Sequence, residues 1–130
     1  MGELTFREQV NNISSYSQIN KSFRHVHGIK AAAVLSTLLY KYDYWEREKL
    51  LKPIISRNGG TLWYFHISKL DLAIDSGVSI SALDKNLEND PLKKLEKLKM
   101  IKRIKVKGYN KSDRFILYKK SIINEFIKAK

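Results

Sequence analysis

The middle of the chain carries the sequence feature that most constrains its fold, a strand signal followed at once by a short capped helix. Thr61 to Ile67 (TLWYFHI) is rich in aromatic and β-branched residues, which predicts a strand. Ser68 then stands at a helix N-cap with Asp71 three residues later, a variant of the capping box that predicts a helix over Lys69 to Asp75. Gly77 ends this helix because glycine accepts the left-handed backbone of a helix terminus.

Two further helices are predicted directly after this turn. Ser79 is suited to cap the first, which is expected to run to Asn89. Its inner face carries Ile80, Leu83 and Leu87. Asp90-Pro91 is the start signal of the second, because proline at the first helical position loses no hydrogen bond. The apolar stripe of that helix is Leu92, Leu95, Leu98 and Ile101.

Two helices are also predicted before the strand. The apolar spacing over Leu4 to Phe23 indicates a helix, and the asparagines and serines within it favour an irregular end. The next helix follows Gly28 and is expected to run to about Leu51, because Pro53 resists continuation. Its stripe is Ala31, Val34, Leu35, Leu38, Tyr42 and Trp45. His25 and His27 are expected in a polar loop that enters this helix.

The C-terminal part predicts a hairpin and a closing helix. Ile104 and Val106 alternate with basic residues, and Arg114 to Lys120 (RFILYKK) is a second β-like run after a loop of turn-forming residues. Ser121 to Ala129 is expected to be helical. The predicted fold is therefore mainly α with a small β-hairpin. Residues 1–27 are an N-terminal arm with a short helix, and residues 28–130 are a single globular domain.

Composition narrows the class of protein. At 130 residues without cysteine, the chain fits one domain, and it excludes disulfides, thiolate metal sites and cysteine nucleophiles. Its apolar runs are far shorter than the roughly 20 residues that span a bilayer, and its N-terminus has no apolar signal core. We expect a soluble cytoplasmic protein.

The positive charge is concentrated at one end of the chain. Residues 92–130 hold fourteen basic and three acidic side chains, a net of +11 out of the total of +12. Residues 61–91 have a net charge of −3. A clustered lysine field favours a polyanionic partner, since it neutralises phosphates, although a lysine-rich surface that only keeps the protein soluble is the alternative.

The short helix, the turn at Gly77 and the second capped helix form a helix-turn-helix pattern, and a basic hairpin follows it. The runs LDLAIDSGVSISALDKNL, LKKLEKLKMIKRI and FILYKK together resemble winged helix-turn-helix DNA-binding domains. They are similar in particular to the N-terminal domains of replication initiators and replisome organisers from plasmids and phages of Gram-positive bacteria. The tyrosine-rich helix AAAVLSTLLYKYDYW before the motif is also typical of those families. The resemblance covers Phe23 to Lys120.

The chain departs from that pattern at two places. The segment from Glu88 to Pro91 looks inserted before Leu92, which implies a bent or broken recognition element. Lys99 stands where those families often have glycine just before the first wing strand.

The resemblance implies a DNA interface in two parts, a recognition helix in the major groove and a basic wing on phosphates or in the minor groove. With Leu83 and Leu87 facing inward, the helix turns Ser81, Lys85 and Asn89 outward. Asp84 and Glu88 lie beside them and repel phosphate, so most affinity is expected from the wing. The candidate DNA-binding residues are Ser79, Ser81, Lys85, Asn86 and Asn89 on the helix and Lys102, Arg103, Lys105, Lys107, Tyr109, Lys111 and Arg114 on the wing. Tyr109 either stacks on a base or is an ordinary turn residue.

The expected function is double-stranded DNA binding in replication initiation or in transcription regulation of a mobile element such as a plasmid or phage. The alternative is a winged-helix module that docks proteins of a replication or conjugation assembly. RNA and membrane partners are disfavoured by the lack of a recognisable RNA-binding module and of a broad amphipathic helix. Tyr40 and Tyr44 lie off the main stripe and suit a homodimer contact. No cofactor, metal site or catalytic set is predicted, and we expect no enzyme activity.

Overall fold

The computed structural model describes residues 16–79, 83, 90–106 and 112–129. Within these ranges the chain forms five helices and four strands. In chain order they are α1 (Tyr16–His27), α2 (Ile29–Arg47), β1 (Lys52–Ile55), β2 (Thr61–Ile67), α3 (Lys69–Ser76), α4 (Pro91–Lys97), β3 (Ile101–Ile104), β4 (Asp113–Leu117) and α5 (Lys119–Ala129). The helix expected to run to Asn89 lies outside the described residues except for Leu83, as do the hairpin tip and the predicted helical residues before Tyr16.

The local start and stop signals of α3 and α4 are confirmed. The Ser68 hydroxyl accepts a hydrogen bond from the Asp71 N–H at 3.0 Å, and Gly77 ends α3 with a φ of 76°. At the start of α4, the Asp90 carboxylate accepts from the Leu92 N–H at 2.9 Å, with Pro91 at the first helical position. Asp90 is buried, so this cap belongs to the interior of the fold.

The end of α1 corrects the expected loop at His25 and His27. Both histidines lie in the helix, which continues to His27 and breaks at Gly28, where φ is 98°. The continuation is stabilised by contacts remote in sequence. Phe23 packs edge to face on Phe126 of α5 at 5.8 Å, and the Lys94 ammonium of α4 donates to the His27 carbonyl at 2.7 Å. A lysine from another helix therefore satisfies a carbonyl at this terminus.

The end of α2 corrects the expected boundary near Leu51. The helix stops at Arg47, because Lys49 takes a left-handed φ of 57° and reverses the chain. The Lys49 N–H donates to the Glu46 carbonyl at 3.2 Å, and the Leu50 N–H donates to the Trp45 carbonyl at 2.8 Å. This pair of bonds is a Schellman motif. Its usual sequence signal is glycine, which this position lacks.

The strand β1 was not predicted, because a proline such as Pro53 usually indicates a break in regular structure. The strand is at one edge of the sheet, where proline is tolerated since the outward side of an edge strand has no neighbour to bond. Lys52 pairs with Tyr64 and Ile55 with Thr61 in an antiparallel hairpin with β2.

The sheet is larger than the predicted strand and hairpin. β3 and β4 pair as expected, but they belong to a four-stranded antiparallel sheet of order β1-β2-β4-β3, which gives a mixed helix and sheet fold. Ile101, expected on a helix, begins β3, and Val106 follows the strand. The last residues of RFILYKK belong to α5, which begins at Lys119.

The core lies between one face of the sheet and the helices. Phe65 of β2 and Phe115 of β4 are directly paired, and their rings stack with centroids 5.9 Å apart. Tyr42 of α2 meets the Phe65 ring edge to face at 6.3 Å. The fully buried aliphatic side chains around them include Val34, Leu35, Leu38, Leu92, Leu95 and Ile122. In the described ranges, no helix combines the length and apolarity needed to cross a bilayer.

The left-handed lysine at the end of α2 leads to a stability prediction. Lys49→Gly is expected to raise the free energy of unfolding by about 0.5 to 1 kcal/mol, because relief of left-handed strain outweighs the added entropy of the unfolded chain. Thermal unfolding should show a midpoint about 2 to 4 °C higher. Gly77→Ala is the matched reverse change. Its Cβ would meet nothing within 4 Å, so strain alone should lower stability by roughly 1 kcal/mol. Equal midpoints for all three proteins would contradict this account.

Candidate nucleic-acid interface

The strand register places the basic residues of the hairpin on two different faces. Lys102 pairs with Ile116 and Arg114 with Ile104, so Lys102 and Arg114 share the sheet face opposite the core. Both side chains are exposed. Arg103 pairs with Phe115 and is half-buried on the core side. The structure therefore brings Lys102 and Arg114 together and places Arg103 apart from them.

The same outer face extends across the sheet as cross-strand rows. One row runs Lys52, Tyr64, Ile116 and Lys102 from β1 to β3, since each residue pairs with the next. The adjacent row holds His66, Arg114 and Ile104. Lys52 and Lys102 are at the two ends of the first row, and Arg114 is in the middle of the second. The face can therefore meet several phosphates over the width of the sheet.

Arg114 is held in place by an aromatic ring. Its guanidinium carbon lies 4.9 Å from the centroid of the Tyr64 ring, which is a cation–π contact. At the base of the hairpin, the Val106 N–H donates to the Asp113 carboxylate at 3.4 Å. The first contact orients an exposed cation, and the second joins the two strands just before the tip. The sequence analysis did not identify Tyr64 or Lys52 as candidate binding residues, although the alternation in TLWYFHI places Tyr64 and His66 on one face of the strand.

His66 gives the outer face an ionisable imidazole. Its imidazole packs against the Trp45 ring, with centroids 4.7 Å apart, and this partial loss of hydration lowers its pKa below the usual 6.5. The neighbouring charges of Lys52 and Arg114 lower the pKa further. The face therefore carries a neutral histidine at pH 7 between two cations.

The other predicted residues are placed as follows. Ser79 is exposed just after the end of α3, and Lys105 is exposed just after β3. Ser81, Lys85, Asn86 and Asn89 of the recognition helix and Lys107, Tyr109 and Lys111 of the wing lie outside the described residues. Tyr40 and Tyr44 are 64% and 45% exposed on α2, which leaves them accessible for the predicted dimer contact.

The histidines do not assemble a metal centre in the part of the chain that the structure describes, where no three His, Asp or Glu side chains meet. His27 instead lies against Glu125 of α5, with Nε2 3.4 Å from the carboxylate oxygen. Burial of this imidazole lowers its pKa, and Glu125 opposes that shift. The pair joins α1 to α5.

Comparison with known proteins gives no relative on which to base a function. No family model, no curated protein and no solved structure matches this chain.

The lowered pKa of His66 predicts a dependence of stability on pH. The unfolded chain binds a proton at His66 more readily than the folded chain, so this residue's contribution to stability is full above pH 6.5 and is lost as the pH falls through the folded pKa. His66→Gln should therefore lose less stability than the parent protein between pH 7.5 and 5.5, measured by urea unfolding. Lys52→Gln should reduce the loss in part, because it removes one repelling charge. Identical losses in the parent and His66→Gln would contradict the prediction.

Proposed function

We propose that this protein binds double-stranded DNA as a winged helix-turn-helix domain, with the β3–β4 hairpin as its wing. The observation that carries the proposal is the strand register that exposes Lys102 and Arg114 together on the outer face of the hairpin. These strands belong to the segment with a net charge of +11. A rigid pair of strands with fixed cations suits phosphate contacts, since the positions of the charges are set before binding.

The order of elements supports the same proposal. α2, β2 and α3 are followed by the segment that contains the expected recognition helix, and then by β3 and β4, with β2 paired to β4. The pairing of β2 with β4 thus joins the helices before the expected recognition helix to the proposed wing after it. β1 extends this sheet by one strand at the edge away from β3.

In the proposed mechanism the wing supplies affinity and the recognition helix supplies sequence preference. Ser81, Lys85, Asn86 and Asn89 contact base edges in the major groove, where asparagine pairs well with adenine and lysine with guanine. The resemblance further favours a cytoplasmic role at a replication origin or operator of a mobile element, with a homodimer on a two-fold DNA site.

Removal of the wing cations tests the affinity part. Lys102→Ala with Arg114→Ala should weaken binding to specific and random duplexes alike and flatten the salt slope by about 0.9 per lost phosphate contact. Fluorescence anisotropy from about 50 to 200 mM salt measures both effects. Lys21→Ala with Lys30→Ala is the control, because it removes the same charge from α1 and α2. Equal losses in the two double variants would make the effect one of net charge and remove the wing from the mechanism.

Substitution in the expected recognition helix tests the second part. Asn86→Ala or Asn89→Ala should narrow the preference for the chain's own upstream DNA over a scrambled duplex by about 1 to 3 kcal/mol per lost base contact. Competition anisotropy with the two duplexes measures this difference. An undiminished preference would show that this helix does not read bases. Weak and equal binding of both duplexes by the parent protein would instead favour the protein-docking alternative.

A further inference from the structure

A groove lies at the end of the sheet remote from the wing tip. β4 runs from Asp113, next to the tip, to Leu117, which pairs with Ile101, and these two buried residues line the groove. The far end of β4 is about 13 Å from the end next to the tip, at 3.3 Å per residue. The other lining side chains that matter here are Trp63, Tyr118, Lys99 and Lys120. We call this surface the Trp63 groove, and its volume is 780 Å³.

Trp63 is exposed because the sheet extends past its helical cover. It lies on the same face as Phe65, two residues further along β2. Phe65 is buried beneath Tyr42 and Trp45 of α2, each with its ring centroid 6.3 Å away. Trp63 is 47% exposed, and the hairpin of β1 and β2 carries it beyond these rings. A large planar ring is thus fixed on a strand with one side open to the groove.

The charge of the groove is positive. Lys99, Lys102 and Lys120 are among its lining residues, all three are exposed, and none is ion-paired within the described ranges. Lys119 also lines the groove, but its ammonium is 3.5 Å from the Glu46 carboxylate and lies over the Tyr42 ring. Among the described residues that line the groove, Glu96 is the one with a carboxylate side chain. Three available ammonium groups against one carboxylate favour an anionic ligand.

We propose that the Trp63 groove binds single-stranded nucleic acid, with a base stacked on the Trp63 indole and the backbone phosphates near Lys99 and Lys120. Stacking on an aromatic side chain beside lysines is how proteins hold single strands without reading their sequence. A duplex keeps its base faces stacked inside, so it offers no such face to the indole. An acidic peptide would use the lysines but leave the indole without a planar partner.

This site overlaps the proposed duplex interface at Lys102 alone among the residues that carry either proposal. Lys102 is shared between the two, whereas Trp63, Lys99 and Lys120 lie outside the predicted duplex contacts. The two proposals therefore fail independently, and the test uses residues that belong to the groove alone.

The probes are fluorescein-labelled dT12 and U12, the DNA and RNA forms of the same ligand chemistry. In a Trp45→Phe background Trp63 is the sole indole, and we expect either oligonucleotide to quench its fluorescence on binding. Trp63→Ala should weaken binding about fivefold or more, since loss of one stacked base costs about 1 to 3 kcal/mol, and Trp63→Phe should retain part of the affinity. Lys99→Gln with Lys120→Gln should lower the salt slope by about 0.7 per phosphate contact.

Matched controls separate these effects from general loss of charge or aromatic surface. Tyr40→Ala removes an exposed ring from α2, and Lys21→Gln with Lys30→Gln removes the same charge elsewhere. Neither should change binding of dT12 as the groove variants do, and Trp63→Ala should leave binding of a 20-base-pair duplex unchanged. The proposal is overturned by absence of quenching with both oligonucleotides, by equal effects of control and groove variants, or by a parallel loss of duplex binding. Retention of single-strand binding in a protein that fails to bind duplex would overturn the duplex proposal alone.

Discussion

The pairing of Phe65 with Phe115 joins the two halves of this protein, and the rest of the fold depends on it. Fifty positions separate the residues, yet they are directly opposite on β2 and β4, with stacked rings. This contact fixes the basic hairpin to the strand that leads into α3, and it gives α2 an apolar surface on which Tyr42 and Trp45 pack. Closing such a long loop costs entropy, which burial of two full aromatic side chains offsets. Without it, the hairpin would have no defined position relative to the helices.

Polar contacts then determine how the helices end around this core. Lys94 donates to the His27 carbonyl, Asp90 caps α4 from a buried position, and Glu125 meets His27 between α1 and α5. Each satisfies a polar group that would otherwise face the interior. Two other groups link α2 to α5 in the same way. Lys119 lies between the Glu46 carboxylate and the Tyr42 ring. Burial raises the pKa of Tyr42, and the Lys119 ammonium opposes that rise.

The two proposed surfaces have a common physical origin in the uneven cover of the sheet. The helices bury the inner face at Phe65 and Phe115 but do not reach Trp63, and the face that carries Lys102 and Arg114 lies on the opposite side from the core. Strand alternation therefore divides the basic segment between an outer face, the core side at Arg103 and the groove at the sheet's end. Net charge alone does not distinguish these positions, because neighbouring residues in a strand point in opposite directions.

The sequence by itself determined the elements whose signals are local. Ser68, Gly77 and Asp90-Pro91 set the ends of α3 and α4 through their own backbone chemistry, TLWYFHI formed the predicted strand, and the cations of the hairpin strands were evident from charge. Tertiary structure decided the rest. α2 ends at a left-handed lysine that carries no sequence signal, and β1 forms because an edge position tolerates Pro53. α1 extends to His27 because its side chains pack on Phe126 and its last carbonyl accepts a hydrogen bond from Lys94. The Tyr64 and Trp63 surfaces likewise exist only after β2 has gained partners on both sides. Local signals depend on a few adjacent residues, whereas register and burial depend on which distant strands and helices meet.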